Sequence, residues 1–365
     1  MSLTLKTPPP ERSVAVHGRI QQLDGLRAVA ILGVFFNHTL HIPLTWVGVD
    51  IFFVLSGFLI TGILLERKIE SRTTGGYFHY FYSRRAFRIL PPYVLTILIY
   101  GLFFTWNAFH PWWLFAFFGM NLQDFFWHGW VKAPLPLWSL AVEEQFYLVW
   151  PVIILLVSEK LLLRLAIAAL VITPFLRVFC TPMFSTHFYI YTLTPFRADL
   201  LCAGAVLAML WKRRTPRTEQ IIRTRAWMGV VAGFGGLMFV QIWPSLRLAS
   251  NTRASNGLDY SLSVLGSFSL VAWTLADRGW LKGLLSTRPM RFIGQISYTM
   301  YLTHIIAIFV TERYVHSTFG ITTIALAVTI LYSWLSWIVM ERPLIGFAAK
   351  KVPRRTHLPT PATTG

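Results

Sequence analysis

Arg27 and His38 stand eleven residues apart inside the first long apolar run of a 365-residue chain. On an α-helix, eleven residues turn through about 1100°, so the two side chains point within about 20° of each other, about 16 Å apart along the axis. An ionisable side chain in a bilayer core is costly unless it faces a protein-lined cavity, so such a pair marks function by default. The chemistry on offer is proton transfer and anion holding. An imidazole titrates near neutrality and can take a proton from a hydroxyl. A guanidinium grips phosphate or a developing oxyanion through paired donors.

Other ionisable residues recur at the ends of later apolar runs. Asp50 follows Gly48-Val49 at the start of the second, near the outer surface. Glu143 and Glu144 lie in Trp138-Ser139-Leu140-Ala141-Val142-Glu143-Glu144. They are about 100° apart on a helix, so one can face a site while its neighbour packs elsewhere. Arg197 and Asp199 open another run, and His304 lies some two-thirds along a further one. These five runs are expected to bring His38, Asp50, Glu143 or Glu144, Arg197, Asp199 and His304 to similar depth. A carboxylate from Glu143 or Glu144 could then orient His38, as the third group of a triad does. Each residue also has a purely structural account. His38 can be a hydrogen-bonded core histidine, and Glu143 and Glu144 interfacial or paired. Arg197 and Asp199 can pair with each other or with backbone. His304 reads more as structural than catalytic, His41 as interfacial and Tyr147 as packing. Arg85 and Arg88, three apart, share a face if helical. Such a fork suits a phosphorylated ligand, yet arginine there also follows from the positive-inside rule.

The elements that position these residues are apolar and numerous. The chain is 55% hydrophobic, 16% aromatic and 13% charged, whereas a soluble domain carries about 25% charged residues. Apolar windows fall at 26–42, 47–65, 89–106, 139–157, 162–179, 196–211, 227–243, 260–276, 293–312 and 319–340. The expected fold is therefore an all-α polytopic membrane protein of about ten spans. The piece 112–123 is too short to span and reads as re-entrant or interfacial. Trp112, Trp113, Trp127 and Trp130 read as an aromatic belt. Residues 1–22 form a basic tail (Lys6, Arg12, Arg19, with Pro8-Pro9-Pro10), 23–345 the membrane domain and 346–365 a second basic, disordered tail. The first apolar run has no small-residue cleavage site and reads as a retained helix. With ten spans and both termini cytoplasmic, 26 of the 33 lysines and arginines fall on the inner side, 4 on the outer side and 3 in or at spans. The net charge of +18 follows from that asymmetry, and its dispersal over membrane-adjacent loops argues against nucleic acid as a partner. Cys180 and Cys202 give no disulfide framework. The histidines and carboxylates form no compact metal-ligand motif.

Several ordered blocks resemble acyltransferase family 3, the integral-membrane O-acyltransferases. Leu23 through Ile31 followed by His38 is similar to the family's Arg-x10-His signature. Gly48 through Ile60 (GVDIFFVLSGFLI) is similar to its second-helix block, and Arg85-x-x-Arg88 to its Arg-x-x-Arg motif. Trp138 through Tyr147 (WSLAVEEQFY), Ile296 through His304 (ISYTMYLTH) and Glu341-Arg342-Pro343 are similar to its later blocks. The resemblance runs from about 24 to 343. It implies transfer of an acyl group, usually acetyl, from cytoplasmic acyl-CoA to a hydroxyl of a glycan or other small-molecule acceptor. It implies a multi-pass protein of the bacterial inner membrane and no bound cofactor. Arg27, His38, Arg85, Arg88 and Glu144 are the functional residues it implies. His38 is expected as base or acyl carrier, with Arg27 along the donor's path. The soluble hydrolase-like extension of some members is missing, so a second, extracytoplasmic transfer step is not expected of this chain. A polytopic transporter shares the spans and buried charges and is the alternative.

Overall fold

The computed structural model describes residues 20–71, 73–103, 112–123, 136–247 and 250–351. Within them the chain is helical and forms no strand. The helices are α1 (Gln21–Leu40), α2 (Gly48–Glu70), α3 (Thr74–Phe103), α4 (Trp112–Ala116), α5 (Leu137–Leu156), α6 (Glu159–Cys180), α7 (His187–Thr192), α8 (Ala198–Lys212), α9 (Pro216–Val230), α10 (Gly236–Val240), α11 (Arg253–Ala276), α12 (Trp280–Leu285), α13 (Arg288–Glu312), α14 (Thr318–Ser336) and α15 (Arg342–Lys351). Most of the basic tails, and the belt residues Trp127 and Trp130, lie outside the described residues.

Among the described residues, seven helical stretches are long and apolar enough to cross a membrane: Thr45–Glu70, Thr74–Leu102, Leu137–Leu156, Glu159–Met183, Arg253–Ala276, Arg288–Glu312 and Thr318–Lys350. Three of the ten apolar windows fall outside this set. The window in α1 carries Arg27, Asn37 and His38, which dilute its hydropathy. The 15-residue α8 is about 22 Å long, short of the roughly 30 Å hydrocarbon core. The third window continues a helix that starts at Pro216 with Arg217, Glu219, Arg223 and Arg225, and runs through a π-turn (Val231–Gly235) into α10.

Three boundaries differ from the sequence reading. The stretch 74–88, read as a loop, is the first half of α3. Its arginines mask an apolar side on which Tyr77 and Phe81 are buried. The loop after α8 becomes helical at Pro216, where Thr215 accepts a hydrogen bond from the Thr218 N–H in a capping box. At the far end, 346–351 continue α15 instead of beginning a tail. Segment 112–123 contains only α4 and a 3-10 turn (Met120–Leu122). It is tied to α5 by Gln145, whose amide donates to the Phe118 carbonyl at 3.0 Å and to Asn121 at 2.9 Å.

Two close backbone approaches set the register of the interior helices. Gly57 of α2 lies against the Leu201 carbonyl, and Gly204 of α8 against α2 around Val54 and Phe58. A Cβ at either position would overlap main chain, so only glycine lets α2 and α8 come so near. Gly48 likewise abuts the Ala30 carbonyl. Helix α2 therefore begins level with the middle of α1, which decides the depth of everything it carries.

Candidate active site

The upper end of the site is a pair of histidines. Helix α1 stops at His41, whose φ of 51° turns the chain out of the helix. One turn before that stop, His38 meets His304 of α13, ring centroids 5.3 Å apart and planes tilted by 46°. His304 is fully buried. Its Nδ1 lies 2.8 Å from the Tyr301 carbonyl oxygen and 3.3 Å from that of Met300. His38 is open to solvent on its other side and makes no hydrogen bond among the described residues.

The lower end is a cluster of three guanidiniums and four carboxylates. Arg27, 4.0 Å from Asp24, lies within electrostatic reach of Glu143, Tyr147 and Arg85. The Arg85 guanidinium sits 3.4 Å over the Tyr147 ring. Arg88 is left uncovered by the rest of the protein, with Arg27, Arg85, Glu341 and Tyr147 around it. Among the described residues none of Arg27, Arg85 and Arg88 donates a hydrogen bond. Glu143 accepts a hydrogen bond from Ser56 Oγ at 2.5 Å. Glu144 has one buried carboxylate oxygen without a partner. Glu341 closes a π-turn (Trp337–Glu341) after α14 and is buried. It accepts from Thr299 Oγ1 at 2.7 Å and Ser336 Oγ at 3.1 Å.

Tyr301 bridges the two ends. Its hydroxyl is 2.5 Å from Ser139 Oγ on α5, its ring lies 5.7 Å from His304, and Glu143 is within electrostatic reach of it.

The expectation of one common depth is thus corrected. Glu143 and Glu144 join Arg27 at the lower end, not His38 at the upper one. Ser56, the partner of Glu143, lies six residues below Asp50 on α2, about 9 Å further in. Neither glutamate contacts His38, so neither is the group that orients it. Asp50 does not stand level with His38 either, because α2 starts beside the middle of α1, with Gly48 against the Ala30 carbonyl.

Asp50, Arg197 and Asp199, expected at the site, form a separate buried knot. Asp50 pairs with Arg197, both fully buried, and accepts from Ser263 Oγ at 2.5 Å. Arg197 also lies 4.9 Å from the Tyr260 ring centroid and 5.1 Å from that of Tyr191. Asp199 pairs with Arg177 at 2.6 Å, and Arg177 also donates to the Phe196 carbonyl at 2.8 Å. The pairing of Arg197 with Asp199 therefore does not form. The structure brings together Arg27, Arg85, Arg88, Glu143 and Glu144 at one end and His38 with His304 at the other. Sequence reasoning assigned no role to Ser56, Ser139, Tyr301 or Glu341. Glu341 had a signal, a lone carboxylate at the foot of the last apolar run. The hydroxyls had none, because serine and tyrosine are ordinary in such helices.

This arrangement is that of a helical protein with several helices long and apolar enough to cross a membrane, an arginine and carboxylate cluster at one end of the candidate site and a histidine pair at the other. An acyltransferase domain model, acyltransferase 3, matches residues 20–340. The chain belongs to that family. It is 29% identical over 371 residues to a Staphylococcus aureus protein provisionally named an O-acetyltransferase, covering 89% of this chain and 57% of that one. To the peptidoglycan O-acetyltransferase OatA of Listeria monocytogenes it is 29% identical over 364 residues, 89% of this chain and 56% of that one. A Bacillus subtilis protein provisionally named a peptidoglycan O-acetyltransferase is 28% identical over 378 residues, 94% of this chain and 57% of that one. The chain thus spans little more than half the length of these relatives. No solved structure matches it.

Proposed function

We propose that this chain is a membrane O-acyltransferase of the bacterial cytoplasmic membrane, with ten spans and both termini cytoplasmic. It moves an acyl group, acetyl by default, from cytoplasmic acyl-CoA to a glycan hydroxyl. The observation that carries this reading is the cluster of Arg27, Arg85 and Arg88. Three like charges within reach of one another, with unused donors and one of them left uncovered by the rest of the protein, are arranged for a polyanion. The phosphates of CoA supply it. From there to His38 is about 16 Å along α1, which the extended pantetheine arm bridges, bringing the thioester to the histidines.

At that point the acceptor hydroxyl gives its proton to His38 as its oxygen attacks the thioester carbonyl carbon. The tetrahedral oxyanion collapses, the carbon–sulfur bond breaks, and the CoA thiolate takes the proton back from His38. Glu143 and Glu144 balance and hold the arginines. The relatives named for peptidoglycan favour a glycan over a secondary metabolite as acceptor.

The test uses purified protein in nanodiscs and follows thiol release from acetyl-CoA with a glycan acceptor. A transporter would release none. His38→Gln keeps a hydrogen-bonding amide but cannot shuttle a proton, so turnover should fall by about 10²–10⁴-fold. Near-normal turnover of a folded His38→Gln variant would refute the assignment.

A further inference from the structure

We propose that His304 is the positioning partner of His38: its Nε2 accepts the N–H of His38 and leaves the other nitrogen of His38 free as the base. This rests on the reading of His38 just given.

The tautomer of His304 follows from its neighbours. Both oxygens at its Nδ1, those of Tyr301 at 2.8 Å and Met300 at 3.3 Å, belong to carbonyls, which can only accept. Nδ1 therefore carries the proton and Nε2 the lone pair. That Nε2 is buried and has no hydrogen-bond partner. A buried acceptor without a donor is a cost the fold keeps only where something fills it.

The group beside it is His38. Each ring atom lies about 1.2 Å from its ring centroid, so rings with centroids 5.3 Å apart can bring edge atoms to about 3 Å at the closest, within hydrogen-bond reach. A small rotation of the solvent-facing His38 ring aims an N–H at the lone pair. Catalytic hydrogen bonds commonly close this way only once substrate is bound.

The carboxylates that would ordinarily do this are engaged elsewhere. Glu143 is held by Ser56 beside Arg27, and Glu341 by Thr299 and Ser336. Among the described residues no carboxylate touches His38. An imidazole of fixed tautomer thus takes the place of the aspartate in a triad.

Two substitutions separate positioning from packing. In His304→Gln the side-chain amide reaches the Nε2 position, where its oxygen can still accept from His38. In His304→Asn the amide ends at the Nδ1 position, keeps the bond to the Tyr301 carbonyl and loses the acceptor. Thiol release from acetyl-CoA with chitotetraose as hydroxyl probe should fall by about 10²-fold in kcat for His304→Asn, with the KM for acetyl-CoA unchanged. His304→Gln should stay within about tenfold of the parent. Equal loss in both, or a loss confined to KM, would overturn the proposal.

A second measurement needs no turnover. In nanodiscs containing ¹⁵N-histidine, the resonances lost in His304→Asn identify His304. They should report a protonated Nδ1 and a bare Nε2 whose shift moves in His38→Ala. A protonated Nε2, or one indifferent to His38→Ala, would overturn the proposal. If the parent protein releases no thiol, the assigned reaction fails while this measurement still decides whether the pair exists.

Discussion

Removing the Asp50 carboxylate should unfold the protein more readily without touching donor binding. Asp50 and Arg197 are fully buried. Two nitrogens of Arg197, Nε and Nη1, already lack partners, so Asp50 is its principal compensation. Taking one member from a buried ion pair costs about 3–5 kcal/mol, because the other charge is left in an apolar setting. Against a typical total stability of about 5–15 kcal/mol that is a large share. At about 2–4 °C per kcal/mol for a larger domain, Asp50→Ala should lower the unfolding midpoint by on the order of 10 °C. The double variant Asp50→Leu, Arg197→Met removes both charges at similar volume and should recover most of that loss, as such replacements are often neutral or stabilising. The assay is thermal unfolding in detergent of the parent, both single variants and the double, with acetyl-CoA affinity measured in parallel. A midpoint within about 2 °C of the parent, with donor affinity lost in Asp50→Ala, would refute the argument. The knot would then belong to the ligand site.

At the arginine end, Arg88→Lys keeps the charge but loses the planar fork, and should weaken acetyl-CoA binding by about tenfold or more. Unchanged affinity in a folded Arg85→Ala, Arg88→Ala double variant would leave only membrane orientation to explain these arginines. For topology, in a Cys180→Ser background, a cysteine at exposed Arg217 should escape an impermeant thiol reagent in intact cells, and one at exposed Ser245 should react. Labelling at 217 would invert the assignment drawn from the positive-inside rule.

What could be read from the sequence is what depends on a single helix. Arg85 and Arg88 do fall in one helix, three residues apart. Within the described residues each apolar window falls largely on helical segments, and the window in α3 began late because the arginines of 74–88 depress the hydropathy there. What could not be read is the register between helices. Glu143 and Asp50 both looked level with His38, because each opens an apolar run after a loop. Their true depths follow from glycine approaches: Gly48 beneath the Ala30 carbonyl, and Gly57 and Gly204 clasping α2 to α8. Partner choice was hidden for the same reason. Asp50 finds Arg197 and Asp199 finds Arg177 across elements far apart in sequence. Glu341 needed a π-turn to reach Thr299, and such a turn leaves no hydropathy signature.

The contrast between the two groups of arginines bears most directly on function. Arg177 and Arg197 are fully buried, whereas Arg27 and Arg85 are partly buried and Arg88 is exposed, and a charge costs most where water is excluded. The first two meet that cost inside the protein, each with its own aspartate, and neither is exposed. The other three are held more loosely: Arg27 stands 4.0 Å from Asp24 with no hydrogen bond between them, Glu143 and Glu341 accept from the hydroxyls of Ser56 and Thr299, and Arg88 is exposed. Arg177 and Arg197 keep some nitrogens without a hydrogen-bond partner, yet each faces its own carboxylate in a buried ion pair, whereas Glu144 stands near Arg85 with an unpartnered oxygen. Under the proposed function, that looser pairing serves an anion that arrives and leaves. Such an anion must bind tightly enough to be held and loosely enough to be released once the acyl group has gone, which an exposed guanidinium allows and a buried ion pair does not.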